Sequence, residues 1–342
     1  MSDIQRIPYA TLCQRVAAAL EGAGMTPELA LTEATIMAEA DLLGVPSHGV
    51  RMLPPLLKAL AEGRVNPRPE FSVLKETAAT SLFDADNGPG RSASAFAMND
   101  AIVRAQQTGI GACLARRTTH WGRAHAYAAR AAQQGMIGLC MTNAIPSMAV
   151  WGATRRIIGN NPLAIGIPHA NPHAPLVLDI AMSQAAVGKV NTWQREKRDV
   201  PPGWGLDAEG RPSQDAAAIL AGAVLPFGGH KGAGLALMIE LLTAALAGGA
   251  FGSEIRDADP SGLDPESCKL FIALNPDAFG GTDTLHARVE SYLAYLGKEA
   301  APFTWPGERG WGERDANLVA GVPLHTEIVT QLAAAGVALG TA

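Results

Sequence analysis

The chain has 342 residues, a formal net charge of -5 and a pI near 5.9. That length suffices for two domains, and 48% hydrophobic residues with 37 Gly and 23 Pro describe a turn-rich globular chain, not a disordered or fibrous one. The basic stretches are short (Arg116-Arg117, Arg155-Arg156, Arg195 to Arg198), which argues against a nucleic-acid partner, and Glu240 interrupts the longest apolar run, Gly232 to Phe251, which argues against a membrane span.

Only 17% of residues are charged, so much of the surface is expected to be covered, most simply by a second copy in a homodimer. The four cysteines, Cys13, Cys113, Cys140 and Cys268, form no CxxC, and Cys113 and Cys140 lie in apolar runs that read as buried thiols. The N-terminus carries Asp3, Gln5 and Arg6 and no apolar leader, so a reducing cytoplasm is the expected location.

Residues 8 to 64 read as helical. An Ala-rich helix opens near Tyr9 and stops at Gly22-Ala23-Gly24. Thr26-Pro27-Glu28 is a helix start, with Thr as N-cap and Pro in the first helical position. That helix runs towards Leu43, with Ala30, Ala34, Met37, Ala38 and Leu42 at helical spacing. A third helix covers Leu53 to Leu60. From Phe71 the period becomes that of strands, at 71–74 and 81–84, joined by a turn. Gly88-Pro89-Gly90 breaks the chain before a helix over 93–109. Buried strands at 110–115 and 137–141 flank a loop and a helix over 127–135, an α/β alternation. Short strands at 164–167 and 176–179 follow, then a loop-like stretch from Trp193 to Ala218, a helix over 232–247, a strand at 270–274 and a helix over 286–296. Glu308 to Arg314 reads as a charged, Gly-rich loop, and the tail is helical from His325. The expected division is a helical lobe of residues 1–70 and 286–342 around an α/β domain, 71–285, that binds cofactor and substrate.

Five constellations carry chemistry besides the pair Ser47-His48, which sits on a Pro/Gly breaker directly after a helix and reads either as a turn or as an active-site hydrogen-bond pair. Thr118-Thr119-His120-Trp121-Gly122-Arg123-Ala124-His125 follows a buried strand and precedes a helix, where ligands collect in α/β proteins. Gly228-Gly229-His230-Lys231-Gly232 opens a helix and offers amides and cations to an anion. Gly159-Asn160-Asn161-Pro162 is explained by turn chemistry alone. Asp179, at a strand end ahead of Gly188-Lys189-Val190, caps a turn or binds a ribose hydroxyl, and Trp305-Pro306-Gly307-Glu308-Arg309-Gly310 is a solvated turn when taken alone.

In order along the chain, these motifs resemble the malate/L-lactate dehydrogenase family of NAD(P)-dependent oxidoreductases. The resemblance covers nearly the whole chain. It implies an α/β, non-Rossmann mixed-sheet core with a helical lobe built from the terminal segments. It also implies hydride transfer between a nicotinamide and a small 2-oxo or 2-hydroxy acid. The alternative within the class is a cyclic-imine (piperideine- or pyrroline-2-carboxylate) or N-methylamino-acid reductase; a dinucleotide-binding protein without turnover is the alternative outside it.

By the same resemblance His48 matches the family's proton donor and acceptor, with Ser47 beside it, and His120 opens a cofactor-contacting loop and serves as acid/base in some members. His120, Trp121, Gly122, Arg123, Ala124, Asn143, Asp179, Ile180, Ala181, His230, Lys231, Pro306, Gly307, Glu308 and Arg309 match cofactor contacts. An imidazole suits a proton transfer of this kind, and no metal is needed. Three positions depart from the family pattern. Met52 stands where many members carry an arginine for the substrate carboxylate, and Arg51 is one residue away. Asn160 replaces a threonine. Lys189 stands where piperideine-2-carboxylate reductases carry an aspartate; it favours an oxo/hydroxy-acid substrate and is a second candidate for holding its carboxylate. Arg123, His125, His230 and Lys231 are the candidate partners of a 2′-phosphate, which favours NADP over NAD.

Overall fold

A computed structural model describes residues 4–255, 263 and 265–339. Its helices are α1 (Tyr9–Gly22), α2 (Pro27–Leu42), α3 (Leu53–Ala61), α4 (Gly90–Thr108), α5 (His125–Gln133), α6 (Val187–Arg195), α7 (Ala216–Ala221), α8 (His230–Glu240), α9 (Thr282–Glu299), α10 (Glu308–Ala320) and α11 (Thr326–Ala334). No described helix is long and apolar enough to cross a membrane. A seven-stranded sheet runs in the order 72–76, 80–88, 110–118, 267–274, 137–142, 163–167, 176–180. It is mixed: 72–76 pairs antiparallel with 80–88, which pairs parallel with 110–118. The expected α/β mixed-sheet class is what the chain adopts.

The chain forms two compact units, residues 1–140, 164–179 and 271–342, and residues 141–163 and 180–270. This differs from the division at 70/71 and 285/286. The terminal helices share a unit with the sheet because they are packed onto its helical layer: α2 places Glu33 on Arg91 and Ser92 of α4, and α10 places Trp311 on Pro175. The core of this first unit joins Phe83, Met98, Ile102, Cys113, Tyr127 and Phe271. Burying each large side chain of this kind contributes about 1.5–3 kcal/mol.

Helix starts follow the sequence where a side chain caps them. The Thr26 hydroxyl accepts Leu29 N–H at 3.5 Å, and the His325 ring accepts Glu327 N–H at 3.3 Å. Two expectations fail. Glu308 to Arg314 is not a loop but the first turns of α10. Gly307, at φ +97°, starts the helix, and the buried Trp311 fixes it by donating to Pro175 O at 2.7 Å. The stretch from Trp193 to Ala218 holds the end of α6 and the start of α7, with Asp215 capping α7 at 2.8 Å. Ile4–Ile7 forms a strand with Val322–His325, outside the expected elements. All four cysteines are free and buried.

Candidate active site

The first unit gathers Ser47, His48 and His120. Helix α2 ends at Leu42, and the chain turns through two short 3₁₀ segments, Pro46–His48 and Val50–Met52. Ser47 Oγ lies 2.9 Å from His48 Nδ1. The ring of His48 stacks on that of His120, centroids 5.9 Å apart at 16°. His120 Nδ1 accepts Gly122 N–H at 3.1 Å, so a neutral His120 carries its proton on Nε2. The loop of His120 is anchored from below: Thr119 Oγ1 donates to Gly88 O at 3.0 Å, and a Cβ on Gly90 would strike Thr119 O. That close approach accounts for Gly90 in the breaker, and Pro69, which a Cβ on Gly88 would strike, accounts for Gly88.

Cations surround this pair. The imidazolium of His48 is disfavoured first by burial, then by the guanidinium groups of Arg123, Arg91 and Arg51, and its pKa is pushed down to about 4. Arg91 is fully buried, with Nη1 3.2 Å from Glu33 Oε2, and a Cβ on Gly122 would press on its Nε at 2.8 Å. Among the described residues its Nε and Nη2, like Nη1 of Arg123, are buried without a hydrogen-bond partner. Among the described residues Arg51 has no carboxylate at ion-pair distance, and Met52 follows it in the same 3₁₀ segment, where neighbours point apart.

A cavity of about 200 Å³ in the same unit is lined by Arg123, His125, Asp179, Trp305, Pro306, Gly307 and Arg309, bringing together candidates far apart in sequence. Asp179 Oδ2 accepts Arg123 Nε at 3.1 Å and His125 N–H at 3.3 Å, and burial pushes its pKa up. Pro306 O accepts Val177 N–H at 2.9 Å, and the Glu308 carboxylate accepts Trp305 N–H at 3.2 Å, while Arg309 is exposed. Other candidates turn inward. Trp121 is buried, stacked on Tyr127 at 5.3 Å and edge-on to Phe271, so its indole belongs to the core. Ala124 and Gly122 are also buried. His125 is buried against Trp311, and its pKa is pushed down by burial and by Arg123, which makes it a poor phosphate ligand.

The second unit holds Asn143, Asn160, Ile180, Ala181, Lys189, His230 and Lys231. Asn160 O accepts Met182 N–H at 2.8 Å, which joins the Asn160 turn to the Ile180-Ala181 segment. The Asn143 amide is fully engaged: Oδ1 accepts Cys268 N–H at 2.7 Å, and Nδ2 donates to Ala250 O at 2.9 Å and Glu240 Oε1 at 3.3 Å. Its side chain is therefore a brace. Asn161 is more than turn chemistry: buried at φ +29°, it donates to Glu240 Oε2 at 2.6 Å and Ala236 O at 2.9 Å and accepts Ala144 N–H at 3.0 Å. Lys189, on α6, holds its ammonium 4.9 Å from the Trp193 ring centre and 5.8 Å from that of Trp204. His230 and Lys231 are exposed at the start of α8, after Gly228 and Gly229 at φ +56° and +62°. Among the described residues no cluster of three or more His, Cys, Asp or Glu could hold a metal ion. Sequence reasoning missed Asp41, Arg91 and Glu240; Asp41 and Glu240 stand in apolar helical runs, and Arg91 lies at the polar start of α4.

The model of the malate/L-lactate dehydrogenase family matches residues 7–333. The chain is 32% identical over 340 residues to malate dehydrogenase of Pyrococcus horikoshii, covering 96% of this chain and 93% of that one. It is 38% identical over 274 residues to L-sulfolactate dehydrogenase of Methanocaldococcus jannaschii, covering 79% and 78%. Its fold matches the crystal structure of delta1-piperideine-2-carboxylate reductase from Pseudomonas syringae with a TM-score of 0.90 at 33% identity, over 97% of this chain and 99% of that one. With the sequence matched from end to end and the fold shared, the chain belongs to the malate/L-lactate dehydrogenase family and is an oxidoreductase of the dehydrogenase class.

Proposed function

We propose that the protein interconverts a small 2-hydroxy acid and its 2-oxo acid with a nicotinamide cofactor, His48 moving the proton. The observation that carries this is the His48 ring, hydrogen-bonded to Ser47 and stacked on that of His120, where burial and the positive charge of Arg123, Arg91 and Arg51 favour the neutral imidazole. A neutral imidazole accepts the hydroxyl proton as the alcohol is oxidised. The cations suit a substrate carboxylate, with Arg51 as its proposed anchor in place of the residue at Met52. A carboxylate arriving there offsets the positive charge and raises the affinity of His48 for a proton, which favours proton return during reduction.

The donor set fits an anionic dinucleotide. Among the described residues Arg123 Nη1 is buried without a hydrogen-bond partner, and Arg123 and Arg309 both line the cavity of the first unit. When bound, the nicotinamide supplies or takes the hydride. Asp179 is already neutralised by Arg123, so it is a weak partner for a ribose hydroxyl, and the cations favour NADP. Apolar side chains exposed on α8 and just beyond it (Leu235, Met238, Leu242, Leu246) support a homodimer.

The test is a spectrophotometric panel, NAD and NADP against about a dozen 2-oxo and 2-hydroxy acids together with piperideine-2-carboxylate. Turnover of an oxo/hydroxy pair, faster with NADP, is the expected result. Turnover of the imine alone moves the protein to the reductases, and none with any substrate rejects the proposal.

A further inference from the structure

The Gly of Ser47-His48-Gly49 has a φ of −85°, which any residue adopts, so backbone freedom does not explain it. Space does. A Cβ built on Gly49 would strike all three carboxyl atoms of Asp41, far inside contact distance. Asp41 lies in the last turn of α2 and is 3% exposed, and its Oδ2 accepts Val50 N–H at 2.7 Å. The carboxyl group thus fills the notch that Gly49 leaves and grips the next backbone amide.

This is a costly place for a carboxylate. It sits at the negative end of the α2 dipole, and burial outweighs the Val50 hydrogen bond and the nearby Arg51, pushing its pKa up to about 7. An apolar residue would be easier to bury there, but only an acceptor can hold Val50 N–H.

We propose that Asp41 is a positioning residue for His48: by clamping the Gly49–Val50 turn from within α2 it fixes where the adjacent imidazole and the Ser47 hydroxyl stand. This rests on the proposed role of His48 in proton transfer. The clamp acts on geometry alone, so an amide, which has the same shape and one acceptor oxygen, should hold the turn nearly as well.

Steady-state kinetics on Asp41→Ala, Asp41→Asn, Gly49→Ala and the double variant Asp41→Ala/Gly49→Ala test it, with His48→Asn as the reference. Displacing a reacting group by about 1 Å costs on the order of 100-fold, so Asp41→Ala should lower kcat by about 10- to 100-fold with KM for the cofactor within about twofold. Asp41→Asn should recover kcat to within about threefold of the parent, a rescue that loss of packing alone would not grade in this way. Gly49→Ala should be impaired alone yet add little to Asp41→Ala, since both break one contact. If Asp41→Ala keeps kcat within about twofold, or if Gly49→Ala adds its full effect to it, the clamp is refuted. Should Asp41→Ala fail to fold, Asp41→Asn and Gly49→Ala decide: near-parent kcat in the first and a deep loss in the second are required. Turnover surviving in His48→Asn refutes the proton-transfer role itself; loss in His48→Asn with a normal Asp41→Ala refutes the clamp alone.

Discussion

Two buried polar clusters in this molecule are built on opposite terms. In the second unit Glu240, Asn143 and Asn161 close on one another. Glu240 Oε1 accepts Asn143 Nδ2 and Gly252 N–H, Oε2 accepts Asn161 Nδ2, and both amides find backbone partners with their remaining atoms. Around His48 in the first unit the ledger stays open: among the described residues Arg91 Nε and Nη2 and Arg123 Nη1 have no hydrogen-bond partner, and the charge of three arginines adds to burial in disfavouring the imidazolium. A satisfied network specifies a fold. In the proposed function an anionic substrate supplies the acceptors that the open cluster lacks.

The comparison breaks first at His48. His48→Asn keeps a hydrogen-bonding group near the position of Nδ1 but cannot shuttle a proton at neutral pH. Turnover should fall by about 100- to 10,000-fold, with the unfolding midpoint near the parent's, because among the described residues the ring's one hydrogen-bond partner is Ser47. A large loss of stability in this variant would mean that the first cluster is structural too. Glu240→Ala is the mirror experiment. It strips Gly252 N–H of its acceptor and leaves a void between two amides. Urea unfolding should show a loss of about 2–4 kcal/mol, and the surviving folded protein should keep its cofactor preference. Unchanged stability would show that water or rearranged amides close the network.

The contrast also explains what the sequence disclosed. Caps and breakers were legible because they act locally: Gly22-Ala23-Gly24 ends α1, and Thr26-Pro27 starts α2. The Ser47-His48 pair and the His120 loop were legible as a series of motifs in order. Asp41, Arg91 and Glu240 were not, since a charged residue in a helix ordinarily faces water, and nothing local shows that Gly49, Gly122 or Gly252 will come to rest against it. α10 was hidden for the converse reason: Gly310 and Gly312 argue for a loop, and distant carbonyls outweigh them, Pro175 O receiving Trp311 and Leu42 O receiving Asn317. The unit boundaries near residues 140, 163, 179 and 270 lie in or beside apolar strands, where no Pro- or Gly-rich linker marks them.

The smallest effect is the most diagnostic of the open cluster. Oxidation of a hydroxy acid needs His48 unprotonated, and a group whose pKa lies near 4 stays so from neutrality down to mild acid. kcat/KM in that direction, which reports the free enzyme, should therefore show no limb from His48 near its ordinary 6.5 and should fall only as pH approaches 4. Arg51→Gln removes one of the three cations. With less positive charge opposing it the imidazolium becomes easier to form, so the acid limb must move to higher pH. The move should stay under about one pH unit, because burial rather than charge is the first cause of the depression. pH-jump assays read the limb before slow acid unfolding intervenes. A limb that stays in place would remove Arg51 from the cations that set His48, and a limb that moves down would reverse the electrostatic account of the cluster.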